Sequence, residues 1–154
     1  MKTRFYTAYL TALAFLLVTS CASLKKAVFD QFSYQKGTEI KVDALRLMDK
    51  SSTQYSSQTV AIEHLETELA KIVEYEKNKP ENKISYAMWK MMANPDKKFI
   101  AGYLKMWKEK GTVSPVFITE AKGQVTEALD LILQYEGKKD PAAESRLKAL
   151  LGLQ

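Results

Sequence analysis

A chain of 154 residues holds one domain of ordinary size, or a small domain behind a targeting segment, and leaves no room for a two-domain enzyme. With 46% apolar and 27% charged residues, six Gly and four Pro, its composition is that of a globular protein and excludes a disordered or collagen-like chain. The net charge of +5 falls to +3, 21 basic against 18 acidic residues, once Lys2 and Arg4 are set aside; that excess suits a weak attraction to anionic headgroups and is too small for nucleic acid as a partner.

Lys2 and Arg4 are followed by an uncharged apolar run from Phe5 to Val18, the pattern of an export signal. Thr19 and Ser20, small enough for the cleft of a signal peptidase, come next, and then Cys21, the only cysteine. The segment Val18-Thr19-Ser20-Cys21 resembles the lipobox of bacterial lipoproteins. That resemblance, confined to residues 1–21, implies cleavage before Cys21, a diacylglyceryl group on its sulfur and an acylated new N-terminus. Residues 1–20 would then be a signal peptide and 21–154 a lipid-anchored domain. Ala22 and Ser23, with no Asp after the cysteine, imply transfer to the outer membrane, facing the periplasm. A second reading is an uncleaved anchor, since Phe5 to Leu24 carries no charge and is close to the ~20 residues a bilayer needs. Small residues and the sole thiol at the end of the run are what lipidation requires and an anchor does not. One acyl chain binds marginally, at about 0.8 kcal/mol per buried methylene, whereas three hold a protein almost permanently. A thiol consumed by lipid leaves none for disulfides, metal sites or nucleophilic chemistry.

Beyond Leu24 no run alternates apolar and polar residues, so the expected fold class is all-α, an irregular bundle of five to six helices. Leu24, Val28, Phe32, Ile40, Ala44, Leu47 and Met48 recur at helical intervals and predict a helix over 24–50, interrupted at Gly37 and ended by Ser51-Ser52-Thr53-Gln54. Ile62, Leu65, Leu69, Ile72 and Glu76 fall at 3-4-3-4 spacing and predict the clearest amphipathic helix over 57–78, its apolar stripe closed by the charge of Glu76. After a turn at Asn78-Lys79-Pro80, a helix is expected over 82–93. Asn94-Pro95, Ser114-Pro115 and Asp140-Pro141 each place a capping side chain before a proline whose missing N–H costs a first turn nothing, predicting helices over 95–110, 115–136 and 141–151. Gly111, Gly137 and Gly152 stand where those helices should stop. The stripe Ile118, Ala121, Val125, Ala128, Leu129, Ile132 and Tyr135 is expected to pack along the helix over 57–78; these two elements, each about 30 Å long, would frame the core.

Chemistry is thinly signalled. His64 is the only histidine, and with Glu63 and Glu68 it could offer a carboxylate and imidazole cluster, but no second histidine stands at metal-ligand spacing, so no metal and no cofactor are expected. No Gly-x-Ser-x-Gly elbow or phosphate loop occurs, and Glu74 and Glu76, two apart on a helix, do not face each other; no catalytic residue is assigned. The stretch from Ser85 to Lys108 holds both tryptophans and four of the six methionines. Met88, Trp89, Met92 and Trp107 are the candidate contact surface, since Met adapts to irregular partners and Trp anchors interfaces. Two other readings of the segment stay open: core on short helices, and an interfacial membrane helix flanked by Lys97, Lys98, Lys105, Lys108 and Lys110.

The expectation drawn from these features is a bacterial envelope protein held at the membrane by lipid on Cys21 and acting through contact with another protein, as an adaptor, assembly accessory or protective factor. The alternatives are a small metal-independent hydrolase or lytic enzyme working through two carboxyls in a cleft, and a binder of an apolar ligand.

Overall fold

The computed structural model describes residues 29–80 and 82–152. The expected signal peptide, the lipid site at Cys21 and the first residues of the helix predicted over 24–50 lie outside them. Among the described residues there are six α-helices and no strand, the all-α bundle that the helical spacing predicts.

Asp30 opens the first helix: its carboxylate accepts from the amides of Phe32 and Ser33, at 2.9 and 3.2 Å, and α1 runs Gln31–Asp49. Gly37 does not interrupt it. A Cβ at Gly37 would lie 2.9 Å from the Leu133 side chain and 3.1 Å from the Trp89 ring, so the glycine is where two other helices press closest on α1. A short 3₁₀ turn, Tyr55–Gln58, leads into α2, Thr59–Asn78, whose buried face carries Ile62, Leu65, Leu69 and Ile72. Helix α3 is Lys83–Met92.

The helix expected over 95–110 starts later, and α4 is Ile100–Lys110. Asn94 does cap, but it caps a single turn: its side chain accepts from the Asp96 amide at 2.9 Å and its carbonyl from Lys97 at 3.1 Å. The chain then folds back over Gly102, where a Cβ would stand 1.7 Å from the Lys97 carbonyl oxygen, and Phe99 enters α4 extended. Ser114 and Asp140 cap as the sequence predicts, starting α5, Pro115–Lys138, and α6, Pro141–Leu151. Gly111 and Gly152 take positive φ at helix ends, but Gly137 does not stop α5. The helix runs through it and Lys139 adopts the left-handed conformation instead, while the missing Cβ of Gly137 makes room for the Tyr34 ring.

The expected pairing of the two amphipathic frames is also corrected. Helix α5 packs along α1, and α2 packs on α1 and α3, so α1 is the element both stripes share. The reason lies in the α1 sequence: Ser33, Gly37 and Ala44 are small and buried on one stripe, which lets neighbouring helices approach closely. Both predicted stripes are nonetheless buried in one core, Ala121 only partly. Helix α1 runs antiparallel to α2 and to α5, as the contacts Lys36–Glu68 and Lys122–Asp49 require. One end of the bundle therefore gathers the start of α1, the end of α2, the start of α3, the end of α5 and the start of α6.

Candidate functional site

That end holds the molecule's one concentration of buried charge among the described residues. Glu76 continues the stripe of α2, four residues after Ile72, and Glu136 continues that of α5, four after Ile132; both helices therefore carry a carboxylate into the interior. Both side chains are sealed from solvent. Glu76 accepts from the Ser33 hydroxyl of α1 and from the Asn82 amide at the start of α3. Glu136 accepts from the Ser85 hydroxyl of α3, and Lys139 binds it at 2.7 Å. Lys79, just past α2, places its ammonium 3.5 Å from Glu76, 3.4 Å from Glu136 and 3.1 Å from Asp30. Asp30 takes a further hydrogen bond of 2.8 Å from the Tyr75 hydroxyl.

Burial pushes the Glu76 carboxyl above the usual carboxylate range; the Ser33 hydroxyl pulls it back, and the charge of Glu136 raises it again. The ammoniums of Lys79 and Lys139 offset the acids in a place where an uncompensated charge would cost several kcal/mol. Asp30 differs. Partial burial raises it, but the Tyr75 hydroxyl, the Ser33 amide and Lys79 together outweigh burial and hold it at about 2.

Chemically the arrangement is a clamp. It ties four helices through charge-assisted hydrogen bonds and offers its two carboxyls to no substrate, because each is covered on all sides by its own partners. Lys79 and Asp30 reach the surface, where Lys79 lines an open hollow with Lys71, Glu74, Tyr75, Asn78 and Pro80.

The residues expected as a contact surface are elsewhere. Met88, Trp89, Met92 and Trp107 are all fully buried, and the segment from Ser85 to Lys108 supplies core on α3 and α4. Its apolar content is absorbed because α3 is covered by α2 on one side and by α5 and α6 on others. The Trp107 indole donates to the carbonyls of Thr53 and Gly111, both at 3.1 Å, closing the loop before α2. The Trp89 indole N–H is buried with no hydrogen-bond partner among the described residues. The predicted cluster of Glu63, His64 and Glu68 does not converge: His64 is exposed and lies 3.9 Å from Asp43, whereas Glu68 turns to Lys36 and Lys71. Glu74 is exposed and pairs with Lys77.

The stripe spacing held the signal for the buried pair, since Glu76 and Glu136 both occupy apolar register positions, but only the fold identifies the lysines and hydroxyls that make them tolerable. No helix among the described residues is long and apolar enough to cross a membrane. Comparison with known proteins matched this chain to no family model, no curated protein and no solved structure.

Proposed function

We propose that the chain is a lipid-anchored protein of the bacterial envelope that acts through contact with another protein, as an adaptor, assembly accessory or protective factor. The observation that carries this reading is the run Val18-Thr19-Ser20-Cys21, with the chain's sole thiol placed where an apolar export segment ends. Ala22-Ser23 favours the outer membrane, periplasmic side. The carboxylate-enzyme reading is less well supported, because Glu76 and Glu136 are enclosed and held by Lys79 and Lys139.

The test is metabolic labelling with palmitate of cells making the full chain and its Cys21→Ser variant. The expected result is label and a processed mobility for the natural chain and an unlabelled, unprocessed precursor for the variant; normal maturation of the variant would overturn the anchor. Crosslinking of intact envelopes with the tagged chain as bait should then yield one dominant protein adduct, and its absence counts against action by contact.

A further inference from the structure

The end of the bundle that carries the clamp also carries the molecule's densest exposed aromatic group. Phe29, Phe32, Tyr34 and Tyr75 are 52%, 48%, 42% and 38% exposed, whereas the exposed apolar residues Val60, Val116 and Phe117 stand at the opposite end, where α2 and α5 start. Phe32 packs on Tyr75 with ring centroids 4.4 Å apart, on the α2 side of α1; Phe29 lies 6.1 Å from Tyr34, on the side of α5. These rings are fixed rather than loose. The Tyr75 hydroxyl donates to Asp30, Asp30 caps α1 and binds Lys79, and the Tyr34 ring fits against Gly137. Exposed lysines stand at the same end: Lys83 opening α3 and Lys138 closing α5, with Lys77, closing α2, paired to Glu74. The acidic side chains nearest the rings are engaged, Asp30 by Lys79 and Glu74 by Lys77.

We infer that this end of the bundle is a docking face for a phospholipid bilayer, on which Phe29, Phe32, Tyr34 and Tyr75 enter the headgroup region and Lys83 and Lys138 meet anionic lipid. Two phenyl rings that can be buried beside two tyrosines with polar tips, at an end that also carries lysines, are side-chain chemistry suited to a membrane interface. The occupant is fixed by the proposed anchor, on which this inference rests: Phe29 is eight residues from Cys21, a reach of about 29 Å at full stretch, so the aromatic end is the part of the domain held nearest the lipid. Docking would convert a tether into an orientation, with the start of α2 and the end of α1 directed away from the membrane.

The experiment uses the full chain reconstituted in vesicles of phosphatidylethanolamine and phosphatidylglycerol with brominated acyl chains. Phe32→Trp places an indole at the proposed face, and Val60→Trp places one at the opposite end of the bundle; the signal of the unsubstituted chain, from buried Trp89 and Trp107, is subtracted. The expected result is a blue-shifted emission and at least about twofold stronger bromolipid quenching for Phe32→Trp than for Val60→Trp, the depth signature of an interfacial ring. Equal quenching of the two, or none, overturns the docking face. A blue shift without quenching, with a doubled mass on crosslinking, overturns it in favour of a second copy at this surface. Mass analysis of the N-terminal peptide from the same preparation reads the lipid on Cys21 separately: the chain is brought to the vesicle by acyl groups or by an uncleaved apolar segment alike, so failure of the anchor chemistry and failure of docking are told apart. Phe29→Ser with Tyr34→Ser, added to each of the two tryptophan variants and checked for an unchanged helical spectrum, should remove the difference in quenching and leave vesicle binding intact; a retained difference counts against the aromatic rings as its cause.

Discussion

The Glu76 and Glu136 carboxylates, buried on two different helices, share the Lys79 ammonium at 3.5 and 3.4 Å. Two acids in one dry site repel each other, and the shared cation, the two serine hydroxyls and the proton favoured on Glu76 are what make the site tolerable. The clamp thus holds α1, α2, α3 and α5 in register at the end where the aromatic face is displayed.

Lys79→Met should therefore destabilise the fold by roughly 3–5 kcal/mol at neutral pH, because it removes the cation shared by Asp30, Glu76 and Glu136 and leaves Lys139 to offset the buried acids. Glu76→Gln should cost far less, since the amide keeps the shape and the Ser33 contact. The pH response separates the two further. A carboxyl whose folded pKa is raised binds its proton more tightly in the folded state, so its contribution to stability declines as pH rises from its unfolded value through the folded one. Denaturant midpoints across that window should fall for the natural chain and stay flatter for Glu76→Gln; identical slopes would show that Glu76 does not hold the proton.

Asp30 and Glu68 act in the opposite sense. Both are held at about 2, Glu68 by the Lys71 and Lys36 ammoniums and Asp30 by its donors against partial burial. Their stabilisation is present above the unfolded values of 3.8 and 4.5 and is lost as pH falls through about 2. Asp30→Asn keeps a cap oxygen and removes the charge, so it should weaken the acid-side loss of stability while sparing α1. Asp30→Ala removes both and should cost about 1 kcal/mol more. Helical signal followed through acid titration of the two variants distinguishes cap from charge.

What could be read from the residues alone divides along physical lines. Ser114-Pro115 and Asp140-Pro141 start helices as their local chemistry dictates, because a cap is satisfied within its own turn. Asn94-Pro95 has the same pattern of a capping side chain before proline, but the chain that follows folds back over Gly102, and the turn ends at Lys97. Periodicity identified the buried faces of α2 and α5 without identifying their partners, since a stripe states which side is apolar and nothing about which helix covers it. The same gap explains the clamp. A glutamate after Ile72 reads as the end of a stripe until Ser33, Lys79 and Asn82, from other parts of the chain, are brought to it.

The glycines of α4 and α5 give a paired test of close approach. At Gly123 a Cβ would meet nothing within 4 Å, so Gly123→Ala should stabilise the protein by up to about 1 kcal/mol through helix propensity. At Gly102 a Cβ would fall 1.7 Å from the Lys97 carbonyl oxygen, a backbone atom that cannot step aside cheaply. Gly102→Ala should lower stability by about 1–3 kcal/mol or more despite the same gain in propensity. Thermal melts of the two single variants read the difference in sign, and a stable Gly102→Ala variant would contradict the fold-back over α4.

Trp89 joins three helices, and its loss should be felt in the melting curve whatever binds the protein. It is fully buried on α3, and its six-membered ring lies 3.1 Å from where a Gly37 Cβ would be on α1, beside Leu133 of α5. Trp89→Ala empties that junction and should cost about 3–5 kcal/mol. Trp89→Phe should cost less than its lost volume suggests, because it also removes a buried N–H that has no hydrogen-bond partner among the described residues. The two positions are coupled: Gly37→Ala crowds the indole in the natural chain, whereas a phenyl ring withdraws the atoms it would strike. In a double-mutant cycle, Gly37→Ala should be destabilising alone and less so in the Trp89→Phe background, where only the 2.9 Å approach to the Leu133 methyl remains. Additive effects would mean that Trp89 does not pack on Gly37, and with that the close contact of α1 and α3 beside the clamp would be lost.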